Sequence, residues 1–299
     1  MSTPELAPGL ARHIVEDVVA RALAEDIGDA GDVTTAATIA AHAMASADLV
    51  PRGDGVVAGL PIAVYVFQVV SQGRLQVELG TADGARVTSG EVLATVRGPV
   101  RDMLTAERTA LNILCHLSGV ATLTRRWVDA VEGTGAHIRD TRKTLPGLRA
   151  LQKYAVRCGG GLNHRMSLSD AALVKDNHVA AAGGVVNAFN LVRAAHRELT
   201  IETEVDTVEQ AREVIDAGAQ LVLLDNMSPA DMRAVVEYAG GRALLEASGG
   251  LELRNARAVA ETGVDYLSVG ALTHSAPVLD IGLDISRNLP SDVSTDIEA

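Results

Sequence analysis

A chain of 299 residues with 47% hydrophobic but only 2% aromatic residues has apolar mass for two cores packed by Ala, Val, Leu and Ile. Its 26 basic against 38 acidic residues, net charge of −12 and pI near 5.1 exclude the broad basic face that nucleic acid demands. Two cysteines, Cys115 and Cys158, exclude a disulfide framework and suit a reducing compartment.

The N-terminal MSTPELAPGLARHIVEDVV has no basic start or long apolar run, so no signal peptide is expected. Leu10, Ile14, Val15, Val18, Val19, Ala22 and Leu23 then fall at helical spacing and predict an amphipathic first helix. A turn-rich stretch from Ala24 to Thr35 follows. The most apolar window, Val56–Val70, is broken by Pro61 and Gln68 and is shorter than the ~20 residues of a membrane helix. The expectation is therefore a cytoplasmic protein with no membrane contact. From Ala45 to Val100, short Val-rich runs alternate with Gly, Asp and Ser. LQVELG at Leu75–Gly80 and GEVLATVRG at Gly90–Gly98 read as antiparallel strands, with a helix near Ile62–Ser71. Helical periodicity returns over Arg101–Val131.

Beyond Gly135 the pattern alternates. Strand candidates are His137–Thr141, Ala172–Lys175, Ile201–Val205, Leu221–Asp225, Ala243–Ala247 and Tyr266–Val269, with helical segments such as TVEQAREVIDAGA and SPADMRAVVEYAG between them. From Ile201 onward, strand starts recur about every 20–23 residues, the rhythm of βα units in a parallel sheet or barrel. Six strands are fewer than the eight of a TIM barrel, which predicts incomplete or different closure. The last run, LDIGLDI at Leu279–Ile285, alternates like a strand that rejoins the first domain.

One stretch runs against the global charge. Arg139 to Lys175 holds eight Lys/Arg (Arg139, Arg142, Lys143, Arg149, Lys153, Arg157, Arg165, Lys175) and two Asp (Asp140, Asp170). Concentrated like charge costs self-repulsion unless an anion neutralises it. Lys175, Glu204, Asp225 and Glu246 fall at or near predicted strand ends, and Arg142 and Lys143 just follow one. In parallel βα architectures that rim is where ligands bind. A single charge there says little, because strands leave the core at that point. Five consecutive units each supplying one points to a site.

The last two units add Ser248-Gly249-Gly250 and Ser268-Val269-Gly270-Ala271, turns through which backbone N–H groups can approach a phosphate. Glu204 and Asp225 suit oxygen-rich chemistry: Mg²⁺ held partly through water, or ribose hydroxyls. His164 and His178 have no Cys/His partners at zinc spacing, no GxSxG elbow occurs, and GGG at Gly159–Gly161 lacks a dinucleotide frame. These residues point to a barrel-like enzyme for a phosphorylated sugar and a carboxylate-bearing co-substrate, to which Arg forks can donate bidentate bonds.

DTRKTLPGLRALQKYAVRCGGGLNHRMSLSDAALVKDNH, IETEVDT, LLDNMSP, EASGGL and SVGALTHSAPVLDIGLDI resemble the quinolinate phosphoribosyltransferases, also called carboxylating nicotinate-nucleotide pyrophosphorylases. AERTALNILCHLSGVAT and EDIGDAGDVTT match as well, so the resemblance runs from about Leu23 to Ile285. Cys115-His116 departs from the Gln-Arg-like pair expected there. The resemblance implies an N-terminal open α/β sandwich over residues 1–118, completed by 276–288, and a C-terminal α/β barrel of about six parallel strands over 119–275. It implies a homodimer in de novo NAD biosynthesis, with Arg108 entering the partner's site. The substrates would be quinolinate and phosphoribosyl pyrophosphate, with Mg²⁺ as cofactor.

Arg142, His164, Arg165 and Lys175, with Arg108 and Thr141, would then bind quinolinate. Arg139 would add positive potential, and Lys143 would face the pyrophosphate. Lys143, Lys175, Glu204 and Asp225 would be catalytic, the two carboxylates also serving ribose hydroxyls and metal. Ser248, Gly249, Gly250, Ser268, Gly270 and Ala271 would cradle the 5′-phosphate, joined by His274. Three alternatives stand beside this reading. They are a paralogue associated with molybdate transport genes, a Schiff-base lyase using Lys175, and a non-catalytic nucleotide-binding regulator.

Overall fold

The computed structural model describes residues 7–286. It divides into two compact units, one running to Thr122 and resuming at Pro277, the other Leu123–Ala276. Residues 287 and 288, at the end of the expected 276–288 segment, lie outside the described residues.

In the first unit, helix Arg12–Ile27 buries Val15, Val18, Val19 and Leu23. It continues through Ala24–Ile27, which the sequence suggested as turn, because Glu25 and Asp26 extend it until Gly28 takes φ 57°. A second helix, Val33–Thr38, starts where Asp32 accepts the Thr35 N–H at 2.9 Å. Five strands follow: β1 (Met44–Pro51), β2 (Gly55–Val56), β3 (Gln76–Leu79), β4 (Arg86–Val87) and β5 (Ala94–Pro99). The segment Ile281–Ile285 pairs antiparallel with β1, Ala47 opposite Ile285, and completes a sheet ordered Ile281–Ile285, β1, β5, β3. Between β2 and β3 lies the apolar helix Leu60–Ser71. Its first N–H groups, including Leu60 and the preceding Gly59, donate to the Asp83 carboxylate at 2.9 and 2.7 Å.

Helix Val100–Ala130 carries Gly119 where a Cβ would stand 2.2 Å from the Pro277 carbonyl oxygen and 2.8 Å from Val278 Cα. Both neighbours are backbone and cannot rotate away. Alanine is the better helix former by about 1 kcal/mol, yet overpacking of this kind costs about 1–3 kcal/mol. Gly119→Ala is therefore expected to lower the melting temperature; an unchanged or raised value would contradict that close approach.

The second unit holds β6 (His137–Arg139), β7 (Ala172–Val174), β8 (Ile201–Val205), β9 (Leu221–Asp225), β10 (Leu244–Ser248) and β11 (Tyr266–Ser268). All pairings are parallel, in the order β6-β11-β10-β9-β8-β7. The strands thus follow one another in chain order around an incomplete barrel, and the seam falls between β6 and β7. Leu162 lies along the open side of β6: its N–H reaches the Ile138 carbonyl at 2.8 Å, and its carbonyl takes the Asp140 N–H at 3.1 Å. Gly161 makes that approach possible, since a Cβ would meet Thr124 Cγ2 at 2.8 Å and Val156 Cγ1 at 2.9 Å. The helices that return the chain are capped by short polar residues. Thr207 accepts the Gln210 N–H, and Ser228 accepts the Asp231 N–H ahead of Pro229.

Candidate active site

Because the six strands run parallel, their carboxyl ends open on one side, and each hands one to three polar side chains to the same place. A cavity of about 600 Å³ lies there. Thr141, Arg142, Lys143, His164, Arg165 and Lys175 line it, with Glu204, Asp225, Ser248, Gly249 and Ser268. Leu173 and Leu223 give it an apolar portion. Arg142 Nε is buried without a hydrogen-bond partner, a donor left for an anion.

Six expected residues do not line this cavity. Arg108 is exposed on helix Val100–Ala130, in the other unit. Arg139 turns inward, pairs with Glu246 and lies 4.7 Å over the Tyr266 ring. Gly250 borders a smaller space of about 230 Å³. Gly270 packs against Lys143, where a Cβ would stand 2.9 Å from Lys143 Cδ, so its missing side chain leaves room for the lysine. Ala271 opens the short helix Ala271–His274, and His274 Nδ1 sits 2.5 Å from Ser275 Oγ.

The cationic stretch is also less exposed than its composition suggests. Lys153 is fully buried, paired with Asp140, and donates to the His164 carbonyl at 2.9 Å. Asp140 further accepts the Asn163 amide at 2.6 Å and the His164 N–H at 2.8 Å, tying the segment after Leu162 to the end of β6. Burial raises the Asp140 pKa and lowers that of Lys153, each opposed by the attraction of the other. Arg149 reaches Thr144 Oγ1 and the Met166 carbonyl, and Arg157 reaches Asn163. Four cations of the stretch remain to face the cavity: Arg142, Lys143, Arg165 and Lys175. Burial and the neighbouring Arg142 lower the Arg165 pKa, while Glu202 and Asp170 support its charge. Lys175 pairs with Glu204. Asp225 accepts from Asn226 at 2.7 Å.

Sequence spacing leaves His164 alone, but in the fold its Nε2 lies 2.7 Å from Glu202 and 3.6 Å from Glu246. One ligand atom from each of these three residues falls within a 4.8 Å span, as a metal ion would need. The ring orientation argues otherwise. His164 Nδ1 accepts the Arg165 N–H at 2.7 Å, so the proton of a neutral ring sits on Nε2, the atom that faces Glu202, and leaves that nitrogen no lone pair for a metal. Glu202 was not among the candidates, although IETE alternates and so sets Glu202 and Glu204 on one face of β8. Asn226 was missed too. It holds φ 54°, and Gly249 has no room for a Cβ, which would stand 2.2 Å from Asn226 Oδ1.

Burial, and next the facing Glu202, push the Glu246 carboxyl up to about 7, with Arg139 and His164 pulling the other way. Between its ordinary value of 4.5 and about 7 the folded chain holds more proton than the unfolded chain, so this group makes stability fall as pH rises through that window. Glu246→Gln removes the titration. The melting temperature of the variant relative to wild type is therefore expected to rise from pH 5 to pH 8; a flat difference would contradict it.

The chain matches the family models described as quinolinate phosphoribosyl transferase, N-terminal domain, over residues 32–118, and C-terminal domain, over residues 120–284. It is 54% identical over 273 residues to a nicotinate-nucleotide pyrophosphorylase [carboxylating] of Mycobacterium leprae, covering 90% of this chain and 96% of that one. A probable enzyme of the same name from Bacillus subtilis is 42% identical over 88% of this chain and 90% of its own length. The crystal structure of NadC from Streptococcus pyogenes superposes with a TM-score of 0.90 at 38% identity, covering 94% of this chain and 99% of that one.

Proposed function

The chain belongs to the quinolinate phosphoribosyl transferase family, and from that we propose that its cavity joins quinolinate to phosphoribosyl pyrophosphate. The products are nicotinate mononucleotide, pyrophosphate and CO₂, a step of de novo NAD synthesis. One observation carries the reading: Arg142, Arg165 and Lys175 converge on a cavity that also presents Glu204 and Asp225, and the buried Arg142 Nε waits for an acceptor.

In this reading the two Arg forks and Lys175 hold the substrate carboxylates and place the pyridine nitrogen towards the sugar. Loss of pyrophosphate builds positive charge at the anomeric carbon, and Glu204 and Asp225 stabilise it. Lys143 offsets the charge of the leaving group. Attack by the ring nitrogen leaves a cationic ring that accepts the electron pair released as the adjacent carboxylate departs as CO₂. Ser248, Gly249 and Ser268, which line the cavity, would receive the 5′-phosphate. Glu204 and Asp225, both oxygen donors at the cavity, suit Mg²⁺ held partly through water; when bound, the ion supplies positive charge to the pyrophosphate. Arg108, exposed on its helix, would complete the site of a second copy in a homodimer. Among the described residues no helix is long and apolar enough to cross a membrane. Pyrophosphate release should require both substrates and stop when Mg²⁺ is chelated; release without quinolinate would contradict the reading.

A further inference from the structure

Asp225 ends β9 and lines the cavity, but the residue after it sits where an extended strand could not put it. Successive side chains on a strand project to opposite faces, so had β9 simply continued, Asn226 would point away from its neighbour's carboxylate. Instead Asn226 takes φ 54°, and its Nδ2 comes back to donate to Asp225 Oδ2 at 2.7 Å. The turn is pinned by its backbone. The Asn226 N–H reaches the Ser248 carbonyl at 2.9 Å, one step past the Asp225–Ser248 pair of the sheet. A carboxylate only accepts, which sets the amide with its NH₂ towards Asp225 and its oxygen the other way. On that other side lies Gly249, where a Cβ would stand 2.2 Å from Asn226 Oδ1 and 2.5 Å from Cγ. The amide thus fills the space of a missing side chain, between the carboxylate and the Ser248–Gly250 turn.

Two carboxylates of this cavity are held in different ways. Glu204 pairs with the Lys175 ammonium, so its charge is largely offset in the free protein. Asp225 is held by an uncharged amide, which sets the direction of the carboxylate without cancelling its charge. The difference counts in a step that builds positive charge on a sugar. Negative charge already aimed at the reacting carbon needs no reorganisation as the cation develops. The terminal torsion of an Asp side chain is broad. Without a donor it is free to swing towards the cations that share the cavity, Lys143 and Lys175 among them.

We propose that Asn226 is a positioning residue for phosphoribosyl transfer: its amide holds Asp225 as the carboxylate whose charge is kept for the developing cation. Its packing on Gly249 ties that carboxylate to the turn that would receive the 5′-phosphate. Asn226 acts through Asp225 and not on a reacting atom. The idea rests on the phosphoribosyl-transfer reading for its chemistry, while the hold on Asp225 is a property of the free protein.

Two substitutions keep the left-handed turn, since Gly adopts it freely and Asp tolerates it. Asn226→Gly deletes the amide. Asn226→Asp keeps its shape but exchanges the donor for a second carboxylate beside Asp225. Both are expected to lower kcat about 100-fold with the KM for quinolinate unchanged within about twofold, because Arg142 and Arg165 are untouched. A crystal structure of the free wild type is expected to show Asn226 at positive φ with its amide on Asp225. That of Asn226→Gly should show the Asp225 carboxylate turned from this direction. Wild-type kcat in Asn226→Asp, or a quinolinate KM that rises in step with the fall in kcat, overturns the proposal. So does a wild-type crystal in which the amide turns away from Asp225, a result that needs no variant to fold. Absence of product from wild type would instead remove the phosphoribosyl-transfer reading, and the crystal would still decide whether Asn226 holds Asp225.

Discussion

Arg165→Ala should weaken quinolinate binding by about 2–4 kcal/mol, or roughly 30- to 1,000-fold, while phosphoribosyl pyrophosphate binding changes far less. The size follows from where the guanidinium sits. Burial already works against its charge, Arg142 repels it, and nearby Glu202 and Asp170 keep it ionised. A cation held under those conditions meets a substrate carboxylate in a partly desolvated cavity, where a charged hydrogen bond is strong and its loss leaves an acceptor unpaired. Titration calorimetry with each ligand separately makes the comparison. Equal loss for both would show that Arg165 serves the cavity as a whole rather than the carboxylates.

Asp140→Leu is expected to cost about 3–5 kcal/mol of stability, because it strands the fully buried Lys153 ammonium with only the His164 carbonyl for company. The same change releases Asn163 and the His164 N–H from the end of β6. Adding Lys153→Met should recover most of the loss, since a buried pair replaced by apolar groups of similar size is often close to neutral. A lower urea midpoint for the single variant and a near-normal one for the double variant would bear this out. If the double variant is as unstable as the single, the cost lies in the released loop and not in the unpaired charge.

These two residues mark where reading the sequence succeeds and where it stops. Strand positions in the second unit were legible because short apolar or alternating runs recur at a regular spacing between helical segments. Ile201–Val205 and Leu221–Asp225 fall where alternation and spacing put them. Ile281–Ile285 joins the first sheet, as its alternation suggested. The rim was legible for a related reason: a charge ending an apolar run marks the place where a strand leaves the core, and Lys175, Glu204 and Asp225 all end up at the cavity.

Partnership across the chain was not legible. Arg139 looks like one more cation for the ligand, and only the fold brings it to Glu246, 107 residues away. Lys153 sits on helix Arg149–Cys158 at a position indistinguishable, by composition, from a solvated lysine. Its burial depends on Asp140, which the count of charges had simply subtracted. The seam between β6 and β7 could not be read either, because a single bridging residue, Leu162 after a run of glycines, carries no strand signal. Glu202 was within reach: period-two alternation along IETE pairs it with Glu204, and a carboxylate on an inward face calls for a donor.

The central claim concerns the carboxylate that leaves. Incubation of the protein with quinolinate, phosphoribosyl pyrophosphate and Mg²⁺, with nicotinate in place of quinolinate as the control, should give nicotinate mononucleotide and CO₂ in equal amounts from quinolinate and negligible product from nicotinate. Turnover of nicotinate at a comparable rate, or no product from quinolinate with folded protein, would contradict it.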